Sequence, residues 1–170
     1  MKYILQLILL FSLTSLFSQK INVENIEILR DSFGVPHIYA KTDAELAYGL
    51  AWAHSEDDFK TIQEAYLAGN GLLSKHIGLR GAPADFLTQL IRSDHIVDSL
   101  YHTVDKNFIK VIEGYAQGIN RFAEVNPDQI LVKKLFPITT KKMIKYSFLQ
   151  LFISSEGDDV IRTIVENTTR

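Results

Sequence analysis

Cysteine is absent from this chain, and with it go a disulfide framework, a thiolate nucleophile and any cysteine-based zinc site. Charge of one sign is scarce too. The formal net charge is −2, and the longest basic runs are the pairs Lys133-Lys134 and Lys141-Lys142, so no electrostatic case for nucleic acid exists. No Gly-rich phosphate loop and no G-x-S-x-G elbow is present. The five histidines do not assemble a metal set: His95 and His102 are seven apart, without the acidic residue that HExxH spacing requires, and His54 precedes a helix-start pattern. No cofactor is expected.

Long hydrophobic runs are nearly missing as well. The one candidate is the N-terminus, MKYILQLILLFSLTSLFSQK, where one Lys precedes an apolar run from Tyr3 to Leu13. Gln6, Ser12, Thr14 and Ser15 interrupt it before the ~20 apolar residues that a membrane span needs. A short basic start, an apolar centre and small residues before Gln19 read as a signal peptide over 1–18, cleaved after Ser18. A transmembrane anchor is the alternative. The remainder, 19–170, reads as one domain that is periplasmic or secreted, with no membrane segment after cleavage.

What is there begins with a strand pair. Asn25 to Arg30 alternates, with Ile26 and Ile28 on one face, and HIYA alternates again after an Asp-Ser-Phe-Gly turn. Asp31 is placed to accept from the backbone ahead of it, Gly34 to take positive φ, and Pro36 to sit at a strand end. Thr42-Asp43-Ala44-Glu45 then has the form of a capping box. The small-residue run AELAYGLAWA follows, with Ala44, Ala47, Tyr48 and Ala51 on one face. Ser55-Glu56-Asp57-Asp58 is expected to start a second helix, running to about Leu67. Leu72 to Ile77 adds a turn and a half, closed by Gly78, and PADFLTQLIRS suits a helix with Pro near its start. Asp105 is expected to cap the clearest helix. Its stripe is Phe108, Val111, Ile112, Tyr115, Ile119 and Phe122, with Gly114 and Gly118 on one edge. Further helices are expected over Thr140 to Phe152 and Asp158 to Glu166. The fold class is therefore α+β: a mainly helical chain with an N-terminal β-hairpin.

RDSFGVPHIYA, DAELAYGLAWAHSEDDF and GLLSKHIG in succession resemble the opening of the penicillin acylase family of N-terminal-nucleophile amidohydrolases. GYAQGINRF, Gly114 to Phe122, resembles the family's Gly-Tyr-x-x-Gly-x-Asn helix. Ala-His-Ser-Glu-Asp-Asp-Phe looks closer to the acyl-homoserine lactone and aculeacin-type acylases than to the Gln-Asp-Arg of penicillin G acylases. The resemblance implies a precursor cut between Gly and Ser into an α chain and a β chain. The new N-terminal Ser of the β chain is the nucleophile, and its own amino group is the base. None of the nine glycines here is followed by Ser, Thr or Cys. No catalytic residue is therefore expected in this chain, which looks like signal peptide plus α chain, the part that completes an αββα sandwich built mainly by the β chain.

The resemblance further implies a heterodimer with that β chain, a small-molecule acyl amide as substrate, and no activity without the partner. It makes Phe148 and Phe152, four apart in KKMIKYSFLQLFISS, the candidate acyl-group residues. Two aromatics at this spacing more often belong to a hydrophobic core. His37 is expected to pack or hydrogen-bond rather than to catalyse. Glu156 and Asp158 of EGDD are open as contributors to a calcium site or as a solvated helix start. Two other readings stay open: a truncated, inactive remnant, or an exported helical binding protein.

Overall fold

The computed structural model describes residues 21–155, 157 and 159. The signal-peptide reading of residues 1–18, the candidates Glu156 and Asp158, and all but one residue of the helix expected over 158–166 lie outside the described residues.

Strands β1, Glu27–Arg30, and β2, Pro36–Tyr39, pair antiparallel, with Ile28 opposite Ile38 and Leu29 opposite His37. The period-2 alternation turns Ile28 and Ile38 inward, onto helix α1, Asp43–Gly69. The hairpin meets this helix at Gly49, where a Cβ would stand 2.8 Å from Ile38 Cγ2 and 2.9 Å from Ile26 Cγ2. The glycine that weakens the helix locally thus admits the hairpin. Thr42 caps α1, its Oγ1 accepting from the Glu45 N–H at 3.2 Å. The buried Glu45 carboxylate accepts from the Asn25 side-chain amide at 2.7 Å, which holds it below the usual carboxylate range and ties the segment before β1 to α1.

The expected break near Ser55 is real but lies three residues on. Asp58 has non-helical torsions, φ −158° and ψ 72°, and its Oδ1 accepts from the Thr61 N–H at 3.0 Å, so Asp58 caps the second half of the helix. Ser55 instead is buried and donates to the Ala51 carbonyl at 2.7 Å. A hydroxyl that turns back to the carbonyl four residues earlier stays inside the helix and does not start one.

Helix α2, Ser74–Ile77, is a single turn. Helices α3, Ala82–Leu90, and α4, Ser93–Leu100, are split by Arg92 in the left-handed region at φ 52°, inside the stretch PADFLTQLIRS that the sequence predicts to be helical. His95 lies on α4 and His102 beyond its end, both exposed, so they share no helix face. Helix α5, Lys106–Val125, starts at Asp105, which accepts from the N–H groups of Asn107 and Phe108. The run 126–139 leads to α6, Thr140–Ser154, capped by Thr139.

The core forms between α1 and α5. Ala51, Phe59, Tyr66 and Leu67 meet Ala116, Ile119, Phe122 and Ala123, and Leu135 and Ile138 close one end. Phe122 is the hub, with its ring 5.0 Å from Phe59 and edge-on to Trp52 at 5.3 Å. Full burial of such a side chain contributes about 1.5–3 kcal/mol. The expected stripe is rotated. Gly114 and Gly118 lie in the contact itself, against the backbone of Ala44 and Tyr48, while Phe108 is 57% exposed. Close backbone approach between two helices draws the interface toward the smallest side chains. Helix α6 joins this body through Tyr66 and Tyr146, whose rings stand edge-to-face at 5.3 Å. Among the described residues, no helix is long and apolar enough to cross a membrane.

Candidate functional site

The hairpin turn is built by Asp31. Its Oδ1 accepts from the N–H groups of Phe33 at 2.8 Å and Val35 at 3.0 Å, and its Oδ2 lies 3.4 Å from His37 Nε2. Gly34 takes φ 82°, as the turn requires. The two backbone donors, Val35 before Phe33, hold the Asp31 carboxyl below its ordinary range, and His37 adds to this. His37 is thus a hydrogen-bonding residue of the turn.

Arg30 carries the turn to the bend of α1. Its Nη1 donates to the Gly34 carbonyl at 2.8 Å. Its Nη2 reaches Asp57 Oδ1 at 2.8 Å, Glu56 Oε2 at 3.2 Å and the Ala53 carbonyl at 3.4 Å. The two carboxylates, Glu56 before Asp57, raise the guanidinium pKa further. Glu56 uses its other oxygen to accept from Trp52 Nε1 at 2.8 Å. The sequence places Glu56 and Asp57 at a helix start and offers Arg30 no partner. The signal was the Arg next to the turn Asp, but its target lies 26 residues away. A second contact across helices, His54 Nδ1 to Tyr115 Oη at 2.9 Å, was equally invisible in sequence.

On α6, Leu149 is buried and Met143 and Tyr146 pack on the core. Phe148 and Phe152, four apart on this helix, are half-buried. The Phe152 ring lies against Gly157. Two open grooves flank the α1–α5 pair. One of ≈ 290 Å³ is lined by Ile26, Ile28, Tyr48, Trp52 and Arg121 among others, and one of ≈ 380 Å³ by Asn120, Ile130 and Phe136 among others. Phe148 and Phe152 line neither. Among the described residues, no three His, Asp or Glu side chains gather as a metal site.

A mainly helical body with a short N-terminal hairpin, carrying turn and cap chemistry at its most elaborate polar clusters, defines a fold class. It matches a solved structure, a thermostable penicillin G acylase from Alcaligenes faecalis, with a TM-score of 0.64 at 21% identity, over 75% of this chain and 72% of that one. The profile of the family described as penicillin amidase matches residues 25–154, and the chain belongs to this family of amide hydrolases. Among curated relatives, it is 26% identical to an acyl-homoserine lactone acylase PvdQ of Pseudomonas syringae pv. syringae over 132 residues, which is 70% of this chain and 17% of that protein. It is 25% identical to the penicillin G acylase of Escherichia coli over 138 residues, 76% of this chain and 16% of that protein. The chain thus spans about a sixth of the length of these relatives.

Proposed function

We propose that this chain is the α-chain part of an exported two-chain amide hydrolase. It joins a β chain of the same precursor to complete an αββα sandwich. The β-chain N-terminal Ser, deprotonated by its own amino group, attacks the carbonyl of an acyl amide; the C–N bond breaks, the amine leaves with that proton, and water then cleaves the Ser ester to release the acid and regenerate the hydroxyl. The substrate class is an acyl amide such as an acyl-homoserine lactone, a penicillin or a lipopeptide side chain. Phe148 and Phe152 supply part of the acyl wall, and the chain alone is inactive. The observation that carries this reading is the family match over residues 25–154 in a chain in which no glycine precedes a Ser, Thr or Cys. Phe148 and Phe152 are half-buried, which leaves part of each ring free to meet a ligand.

The test is an amidase assay of the purified chain on acyl-homoserine lactones and on phenylacetyl and longer-chain chromogenic amides. No turnover is expected from the chain alone, with turnover appearing when a β-chain segment is supplied. Turnover by the chain alone that disappears in Ser154→Ala or Ser155→Ala would overturn the proposal.

A further inference from the structure

The hairpin is a small object. Its strands have four residues each, and a two-stranded hairpin of this size is marginal by itself in water. It is mounted on α1 at two places. The first is apolar: Ile26, Ile28 and Ile38 converge on Gly49. The second is polar: Arg30 grips Ala53, Glu56 and Asp57 with one nitrogen and the Gly34 carbonyl of the turn with another. Gly49 and Glu56 stand about 10 Å apart along the helix axis. One mount leaves a rigid body free to swing, whereas two mounts set its direction.

The polar mount is anchored in the core. Glu56 is held on both oxygens, by Trp52 Nε1 and by Arg30, and the Trp52 ring packs on Phe122. A guanidinium also suits the end of the first half of α1. Cations are favoured where helix carbonyls collect, and the non-helical torsions at Asp58 end that half just beyond Asp57. The planar fork lets a single side chain serve a turn carbonyl, a helix carbonyl and two carboxylates together.

We propose that Arg30 is a latch that fixes the angle of the β1–β2 hairpin on α1, and that the hairpin is a local opening unit released when the latch is lost. The helical body, closed by the α1–α5 core, does not depend on it. Arg30 is here a positioning residue.

Hydrogen exchange on the full chain tests this by comparing the ladder amides of residues 27–39 with the interior amides of α5. In Arg30→Ala, exchange in the hairpin is expected to speed up about tenfold while α5 is unchanged, as for a local opening. The double variant Glu56→Gln/Asp57→Asn removes the other half of the latch and is expected to do the same. Arg30→Lys is expected to fall between, because an ammonium keeps the charge but not the fork. Hairpin exchange at the wild-type rate in both Arg30→Ala and the double variant would overturn the proposal. Equal acceleration in the hairpin and α5 would also overturn it, since Arg30 would then support the whole fold. If Arg30→Ala yields no folded chain, the double variant, which leaves β1 intact, decides by the same comparison.

Discussion

Gly118 of α5 lies against the carbonyl oxygen of Tyr48 on α1: a Cβ added there would stand 2.5 Å from that oxygen and 2.8 Å from the Ala51 Cβ. Two effects compete when this glycine is replaced. Helix propensity favours Ala by up to about 1 kcal/mol. Overpacking costs about 1–3 kcal/mol or more, and a helix carbonyl yields less readily than a side-chain tip. Overpacking should win. Gly118→Ala is expected to lower stability by at least about 1 kcal/mol. The exposed Lys110→Ala should stay within about 0.5 kcal/mol of wild type. Urea unfolding followed by circular dichroism checks both, and an unchanged or raised midpoint in Gly118→Ala would refute the close-contact account.

The turn of the hairpin is expected to loosen in acid. Asp31 has a depressed pKa in the folded state because its carboxylate accepts two backbone N–H bonds. Its stabilising contribution is therefore complete above the unfolded value of about 3.9. It is lost as the pH falls through the lower, folded value. Amide exchange or chemical shifts of Phe33 and Val35 should follow this titration. Asp31→Asn keeps an acceptor oxygen but cannot titrate, so it should abolish the acid step. An acid transition that persists unchanged in this variant would assign it to another group.

Asp85, on α3, acts at a distance of twelve residues. It is 8% exposed and accepts from the Leu73 N–H at 2.7 Å, from the Ser74 N–H at 3.0 Å and from the Ser74 hydroxyl. It thus satisfies the first donors of α2. Asp85→Ala strands two N–H groups beneath α3, and the expected loss is about 2–3 kcal/mol. Asp85→Asn, which retains one acceptor oxygen, should lose less. Denaturant midpoints rank the three proteins, and equal stabilities would show that water replaces the carboxylate freely.

Phe148 tests the acyl wall in an assembled two-chain enzyme. If it faces the acyl chain, Phe148→Ala should shift the ratio of kcat/KM between short and long acyl substrates while the fold persists. A pocket discriminates by about 1–3 kcal/mol per methylene. An unchanged ratio in a folded enzyme, or loss of soluble enzyme, would leave Phe148 a packing residue.

Local chemistry was legible in the sequence, and distant partners were not. Asp31, Gly34, Thr42 and Asp105 act on residues within six positions, and each does what its type predicts. The bend of α1 was read three residues early because Ser55 and Asp58 are both good caps, and only Asp58 leaves the helical region. The break at Arg92 carries no turn signature at all, since arginine in the left-handed region is uncommon. Gly114 and Gly118 were visible as small residues, but their central place in the α1–α5 contact depends on which partner helix approaches. The same limit applies to the candidate site. The spacing of Phe148 and Phe152 gives a common face, whereas the bond from Arg30 to Asp57 needs the hairpin folded back over the helix.

The run 126–139 is stitched to the helices by two neutral amides, beside the Lys142 ammonium of α6, which donates to the Leu135 and Pro137 carbonyls. Gln63 accepts from the Leu131 N–H at 2.9 Å and donates to the Gln129 carbonyl at 3.0 Å. Asn120 accepts from the Ile138 N–H at 2.7 Å and donates to the Ile138 carbonyl at 2.8 Å. Each side chain imitates the peptide group of a neighbouring strand, with donor and acceptor read together. Such pairs carry no net charge and do not titrate. These amide contacts are therefore insensitive to the ionic strengths that screen the exposed pair of α4 and α6, Asp98 with Lys141. Exchanging either amide for its isosteric acid would turn one donor into an acceptor facing a carbonyl. At that stitch the run would close only when the acid is protonated.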